Sequence, residues 1–171
     1  MMRALYRKSE NCAIRLKSDM QPPQIWYSCG VTTKTIHALR TSFQRVEALG
    51  HIAALVFYKR LFELAPYMRP MFPDEIEDQS KKLMDVIAAA LSMMERPEDL
   101  RITLEQLGAR HVDYGVKREH YDIVGAALLD MLASVLGRDF SPTLREAWTT
   151  LYGAIATTMQ AGAARVEADR T

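Results

Sequence analysis

Residues 104–116, LEQLGARHVDYGV, decide how the rest of the chain is interpreted. An apolar stripe leads into them at spacings of four, three and four residues, through Leu100, Leu104, Leu107 and His111. That spacing places these side chains on one face of a helix. The turn-forming residues 113–115, Asp-Tyr-Gly, end the helix just after the histidine. The segment is therefore predicted to be a helix that ends with one imidazole on its apolar face.

The same three- and four-residue spacing of apolar side chains continues on both sides of this segment. It predicts helices over 33–48, 51–64, 77–95, from Pro97 to the break at 113–115, over 118–136 and over 142–167, with a short turn-like helix between Pro66 and Pro70. Gly137 is expected to end one helix and Ser141 to cap the next. No Asn-Gly or Asp-Gly hairpin dipeptide lies between alternating runs. We predict an all-α fold of about seven unequal helices, which suits an orthogonal assembly better than a four-helix bundle.

The composition excludes several classes of protein. The 171 residues fit one domain, and 22 Lys+Arg against 21 Asp+Glu leave a net charge of +1, too little to favour nucleic acid or an anionic membrane. No run of 18 apolar residues is present, so we expect no membrane insertion. The first thirty residues lack the uninterrupted apolar run of a secretory signal. We therefore expect a cytoplasmic protein, in which Cys12 and Cys29 stay reduced.

His111 is the first candidate for chemistry. A lone histidine on an apolar face is commonly a core residue bonded to a backbone carbonyl. The alternative is an axial metal ligand, because neutral imidazole coordinates metals readily. One histidine cannot hold a bare zinc ion, but it can hold a haem iron, since the porphyrin supplies four nitrogens.

Three further residues are candidates whose individual signals are weak. Tyr58 lies among apolar neighbours, so its hydroxyl needs a partner if it is buried. Gln79 precedes Leu83 by one helical turn and so shares its face. Phe72 lies in a proline-rich corner, where an aromatic ring can pack against a flat ligand. Taken alone, Tyr58 is equally compatible with ordinary packing, and for Gln79 and Phe72 an ordinary structural role is the favoured explanation.

Taken together, these segments resemble a known family. The matching stretches, in chain order, are FYKRLF at 57–62, RPMF at 69–72, QSKKL at 79–83, LGARH at 107–111, YGV at 114–116, HYDIVG at 120–125, AW at 147–148 and YG at 152–153. They are similar to bacterial single-domain globins and to the haem domains of flavohaemoglobins. The resemblance covers roughly 33–165. It implies a globin domain over 32–171, with about seven helices around a haem pocket, and we expect residues 1–31 to be a poorly ordered N-terminal extension.

The resemblance also implies roles for individual residues around haem b. The expected contact residues are Tyr58, Phe72, Gln79, Lys82, Leu83, Leu107, Arg110, His111, Val116, Tyr121 and Val124. Among them His111 is the expected iron ligand, and Tyr58 and Gln79 are the expected distal donors. Lys82 or Arg110 is expected to pair with a haem propionate.

One position departs from the flavohaemoglobin pattern. Those proteins carry a glutamate on the last helix that joins the proximal histidine and tyrosine, whereas this chain has Ala163 there and Glu167 one turn later. A proximal carboxylate pushes electron density towards the iron and favours reactions of O₂. The chain also has no G-x-G-x-x-G nucleotide-binding pattern.

The resemblance leaves several functions open. The leading hypothesis is reversible binding of O₂, with NO and CO as further ligands, for storage or transport. The alternative is an enzyme, a nitric oxide dioxygenase in which Tyr58 and Gln79 are catalytic. A separate reductase would then have to reduce the haem iron after each reaction. A haem-based gas sensor and a globin fold without haem are the remaining hypotheses. The chain is expected to be a monomer or a homodimer.

Overall fold

A computed structural model describes residues 32–72 and 76–170, and the predicted extension 1–31 lies outside the described residues. Six α-helices make up most of the described part: α1 Thr33–Glu47, α2 His51–Leu64, α3 Ile76–Ser92, α4 Pro97–Asp113, α5 Arg118–Leu136 and α6 Pro142–Asp169. Three short 3₁₀ helices join them, at Pro66–Met71, Met93–Glu95 and Gly137–Asp139. With the Pro66–Met71 turn there are seven main helices in this part of the chain. The all-α prediction is confirmed.

The helix ends follow the residues that predicted them. The Ser141 hydroxyl accepts a hydrogen bond from the Leu144 amide at 3.2 Å and so caps α6. Gly137 ends α5 with a φ of +56°, a conformation that favours glycine. The predicted helix over 77–95 differs slightly, because its last turn tightens into the 3₁₀ helix Met93–Glu95 before Pro97 begins α4.

The centre of the fold is α5, which packs against α2, α6 and α1. Its buried side chains include Ala127, Leu128, Met131 and Leu132. By length and composition alone, the segment Arg118–Asp139 could cross a membrane, yet 44% of its most apolar window is buried inside the fold. An apolar helix at the centre of a globule has this same composition, so we interpret α5 as the core helix.

A buried hydrogen bond fixes α6 against α1. The Trp148 indole, 1% exposed, donates from Nε1 to the Ser42 hydroxyl at 3.0 Å. That hydroxyl in turn donates to the Leu39 carbonyl oxygen at 2.9 Å. With both polar groups satisfied, the ring holds the start of α6 in place, and the following turns of α6 then reach the cavity described below.

Candidate functional site

A cavity of about 520 Å³ lies between the helices, within the range of pockets that hold small ligands and cofactors. Side chains from α2 to α6 and from the Pro66–Met71 turn form its walls, which are mostly apolar. Every residue that the sequence analysis expected at a haem lies on these walls except Arg110: Tyr58, Phe72, Gln79, Lys82, Leu83, Leu107, His111, Val116, Tyr121 and Val124. The fold thus brings together residues that are far apart in the sequence.

His111 lies half-buried on the cavity wall, near the end of α4. Its Nδ1 is 2.8 Å from the Leu107 carbonyl oxygen. Because a carbonyl can only accept, Nδ1 carries the proton and Nε2 keeps its lone pair. Burial lowers the pKa of the ring, the nearby Arg110 charge lowers it further, and the bond to Leu107 opposes both. The result is a neutral imidazole of the kind that coordinates metal ions.

Tyr121 lies beside this histidine. The two rings stack with centroids 6.5 Å apart and planes at 28°, and the Tyr152 hydroxyl holds Tyr121 by donating to its carbonyl oxygen at 2.6 Å. Burial raises the pKa of Tyr121. Its own hydroxyl is buried and finds no hydrogen-bond partner among the described residues. Buried polar atoms are rarely left unpaired, so this orphan donor on the cavity wall indicates that the cavity accommodates a further group.

Tyr121 and Tyr152 give a pair of predictions for the free energy of unfolding. Tyr121→Phe removes a buried hydroxyl for which the described residues offer no partner, so we expect the free energy of unfolding of the haem-free protein to stay constant or rise by about 1–3 kcal/mol. Tyr152→Phe removes a paired hydroxyl and should lower the same free energy by about 1 kcal/mol. Urea denaturation of both variants measures the difference. A larger loss in Tyr121→Phe than in Tyr152→Phe would show that the Tyr121 hydroxyl already has a partner in the haem-free protein.

Another part of the cavity wall carries Tyr58, which lies on α2 and contacts α3. Its hydroxyl donates to the Gln79 main-chain oxygen at 3.3 Å, while the half-buried Gln79 side chain lines the cavity. Burial raises the pKa of Tyr58, and contact with Gln79 offsets this in part. The phenol therefore stays protonated at physiological pH and remains a donor.

An aromatic cluster keeps this wall in place. The Phe72 ring meets the Tyr58 ring and the Phe62 ring edge-on, each at 5.6 Å between centroids. The Arg69 guanidinium lies 5.4 Å over the Phe62 ring and donates to the Phe72 carbonyl oxygen at 3.1 Å. The corner therefore presents Phe72 to the cavity as a fixed surface.

The charged residues predicted at the site separate into two groups. Lys82 is exposed and lines the cavity. Arg110 is exposed, does not line the cavity, and donates from Nε to the Gln106 carbonyl oxygen at 3.4 Å, so its pairing with a propionate stays a prediction. Neither Ala163 nor the exposed Glu167 is a lining residue. The hydrogen-bond partner of the His111 Nδ1 is thus a backbone carbonyl.

Sequence reasoning missed several wall residues. His120 is buried, lines the cavity, and accepts a hydrogen bond from the Lys117 amide at its Nδ1. Tyr114 is 64% exposed and still lines the cavity, with its ring 5.9 Å from that of His111. Their closeness in the sequence to predicted site residues could have identified them, since His120 precedes Tyr121 and Tyr114 follows His111 by three residues. Met68, Met71 and Met159 also line the cavity and gave no signal, because each looks like an ordinary core residue.

The donor set fits a haem better than a bare metal ion. Among the described residues, no group of three or more His, Cys, Asp or Glu side chains converges on a point. One neutral imidazole on an apolar wall needs a metal whose other ligands come from elsewhere, which a porphyrin provides. The residues present therefore fit a haem.

Comparison with known proteins agrees with the fold. The globin family model matches residues 55–159. A flavohemoprotein from Rhodopirellula baltica is 31% identical over 129 residues, 74% of this chain and 32% of the relative, so the chain spans about a third of that protein's length.

A solved bacterial globin from Campylobacter jejuni superposes with a TM-score of 0.70 at 30% identity, covering 80% of this chain and 99% of that one. An engineered carbene transferase, made from a candidate nitric oxide dioxygenase of Rhodothermus marinus, has a TM-score of 0.70 at 27% identity and covers 80% of this chain and 96% of its own. The chain belongs to the globin family.

Proposed function

We propose that this globin binds haem b in the cavity, where the Nε2 of His111 would hold the iron, and that it reversibly binds O₂. The observation that carries the proposal is the pairing of a neutral imidazole, whose Nδ1 is engaged by Leu107, with two polar side chains, Tyr58 and Gln79, on the same cavity. When bound, the haem would supply an iron atom that holds a diatomic gas.

The distal side chains act on the gas by hydrogen bonding. O₂ acquires partial negative charge in a ferrous haem protein, and a donor in a dry pocket stabilises that charge. Tyr58 can only donate to it by turning its hydroxyl away from the Gln79 carbonyl oxygen, 3.3 Å away. The Gln79 amide is a second donor, and Leu83 excludes water without offering a competing proton. CO acquires less charge and gains less from these donors.

The hydrogen bond of His111 favours reversible binding of O₂ over a catalytic reaction of O₂. The His111 Nδ1 donates to a backbone carbonyl, which is a weaker hydrogen-bond acceptor than a carboxylate. A neutral acceptor increases the electron density on the imidazole less than a carboxylate would. O₂ held in this cavity is therefore expected to leave as O₂.

Nitric oxide dioxygenation is the second candidate, favoured by similarity to the Rhodothermus marinus protein and to flavohemoproteins. The chain matches only about a third of the Rhodopirellula baltica flavohemoprotein. Nitric oxide dioxygenation would need an electron for each turnover, so a separate reductase is part of this proposal.

Gas equilibration of the ferrous, haem-loaded protein tests the proposed function. We expect the absorption spectrum to change on adding O₂ and to return when O₂ is removed, over repeated cycles. Irreversible oxidation in the first cycle would contradict reversible binding. Sustained consumption of excess NO in the presence of NADH and a flavin reductase, but not without the reductase, would favour the enzyme.

A further inference from the structure

We propose that Gly108 and Gly162 are positioning residues for His111, because they set the distance at which α4 crosses α6. The inference rests on the proposed function in one respect only, namely that His111 is the iron ligand. It assigns a role to two residues that touch neither the cavity nor a ligand.

The two helices meet backbone to backbone at this crossing. A Cβ atom added to Gly108 would overlap the main-chain carbonyl of Met159 on α6, and one added to Gly162 would overlap that of Glu105 on α4. Both obstacles are main-chain atoms inside helices, which cannot rotate away as a side chain can. Any larger residue must therefore move one helix relative to the other.

The contact is reciprocal, which defines the crossing at two points. Gly108 of α4 receives Met159 of α6, and three residues further along α6 Gly162 receives Glu105 of α4. Because residues three apart lie on the same side of a helix, each helix offers one notch and one backbone contact to the other. The separation and the angle of α4 are both fixed in this way.

Ion pairs hold the same crossing together. The Glu105 carboxylate, 13% exposed, is 2.6 Å from Arg165 of α6 and 2.7 Å from Arg101 of its own helix. At the end of α4, Asp113 lies 2.7 Å from Arg170, the residue that follows α6. His111 stands between these two points of attachment.

The position of the His111 ring depends on the position of α4. His111 is oriented by its own helix through the bond from Nδ1 to Leu107, so a shift of α4 moves the ring as a unit. Cores are too densely packed to absorb an added methyl group against rigid backbone. A methyl group at residue 108 or 162 is thus expected to displace the imidazole relative to the part of the cavity wall that carries Tyr58.

The test compares three alanine variants of the full chain loaded with haem. Gly108→Ala and Gly162→Ala each add a methyl group at the crossing. Gly153→Ala is the matched control, because it adds the same group to α6 where, among the described residues, no atom of another helix lies within 4 Å. We expect the iron–histidine stretching band of the ferrous form, measured by resonance Raman, to shift in the first two variants and to stay at the wild-type frequency in the control.

A second readout separates this inference from the proposed function. In the haem-free protein, the NMR signals of the His111 ring should move in both crossing variants and not in Gly153→Ala, whether or not haem binds. If the wild type takes up no haem, the proposed function fails, and the ring signals still decide the positioning role. If a crossing variant does not fold, Arg165→Ala loosens the same contact without added bulk and should also move the ring signals. Wild-type His111 signals in every folded crossing variant and in Arg165→Ala would overturn the proposal.

Discussion

Replacing Tyr58 with phenylalanine is expected to speed the release of O₂ by about ten- to a hundredfold. The phenol is a buried donor whose raised pKa keeps it protonated, and a hydrogen bond to a charged acceptor contributes about 1.5–3 kcal/mol. Phenylalanine keeps the ring and its edge-on contacts with Phe57 and Phe72, so the change removes the donor alone. Stopped-flow mixing of the oxygenated protein with excess CO measures the rate.

Tyr67→Phe is the control for this experiment. Tyr67 is 59% exposed and is not a cavity residue, so the release rate should stay at the wild-type value. The rate of CO release should change less than that of O₂ in Tyr58→Phe, because CO carries less charge for a donor to stabilise. An O₂ release rate unchanged by Tyr58→Phe would contradict the assignment of Tyr58 as the distal donor.

Replacing His111 with glycine is expected to speed the loss of haem by more than about a hundredfold. Even residues that only contact a metal ligand cost 10–100-fold in metal affinity when changed, and this change removes the ligand itself. The rate is measured by transfer of haem to an excess of a tight-binding haem acceptor protein. Added imidazole should occupy the vacated space, restore the axial nitrogen and slow the loss.

His37→Gly is the matched variant for this change. His37 is an exposed residue of α1, so the substitution carries a similar backbone cost in a helix and leaves the cavity intact. Its haem loss should match that of the wild type and should not respond to imidazole. Equal rates of haem loss in His111→Gly and His37→Gly would mean that His111 does not hold the iron.

The sequence predicted the helices well because their signals are local. The spacing of apolar residues marks the face of each helix, and Ser141 and Gly137 mark ends that the structure reproduces. The cavity residues were predicted by resemblance, since Tyr58, Gln79 and His111 are each ambiguous alone. Resemblance placed Arg110 at the site as well; it is not one of the residues that line the cavity, and its contact with haem stays a prediction.

The features that sequence reasoning missed depend on how helices meet. Gly108 reads in the sequence as a weak point in a helix, and only the approach of α6 shows why a side chain does not fit there. The Tyr121 hydroxyl, which has no hydrogen-bond partner in the part of the chain that the structure describes, is likewise visible only in three dimensions. The Gln79 main-chain oxygen as the acceptor for Tyr58 could not be predicted, because every backbone carbonyl looks alike in a sequence.

Titration of the haem-free wild-type protein with haemin, followed by absorbance, tests most directly whether this cavity is a haem site. The account predicts saturation at one haem per chain, with a Soret band that, after reduction, has the form of a ferrous haem with one histidine ligand. The same titration of His111→Gly should give weaker binding and lose that form. Haemin that binds without saturation, or equally to both proteins with the same spectrum, would contradict the account.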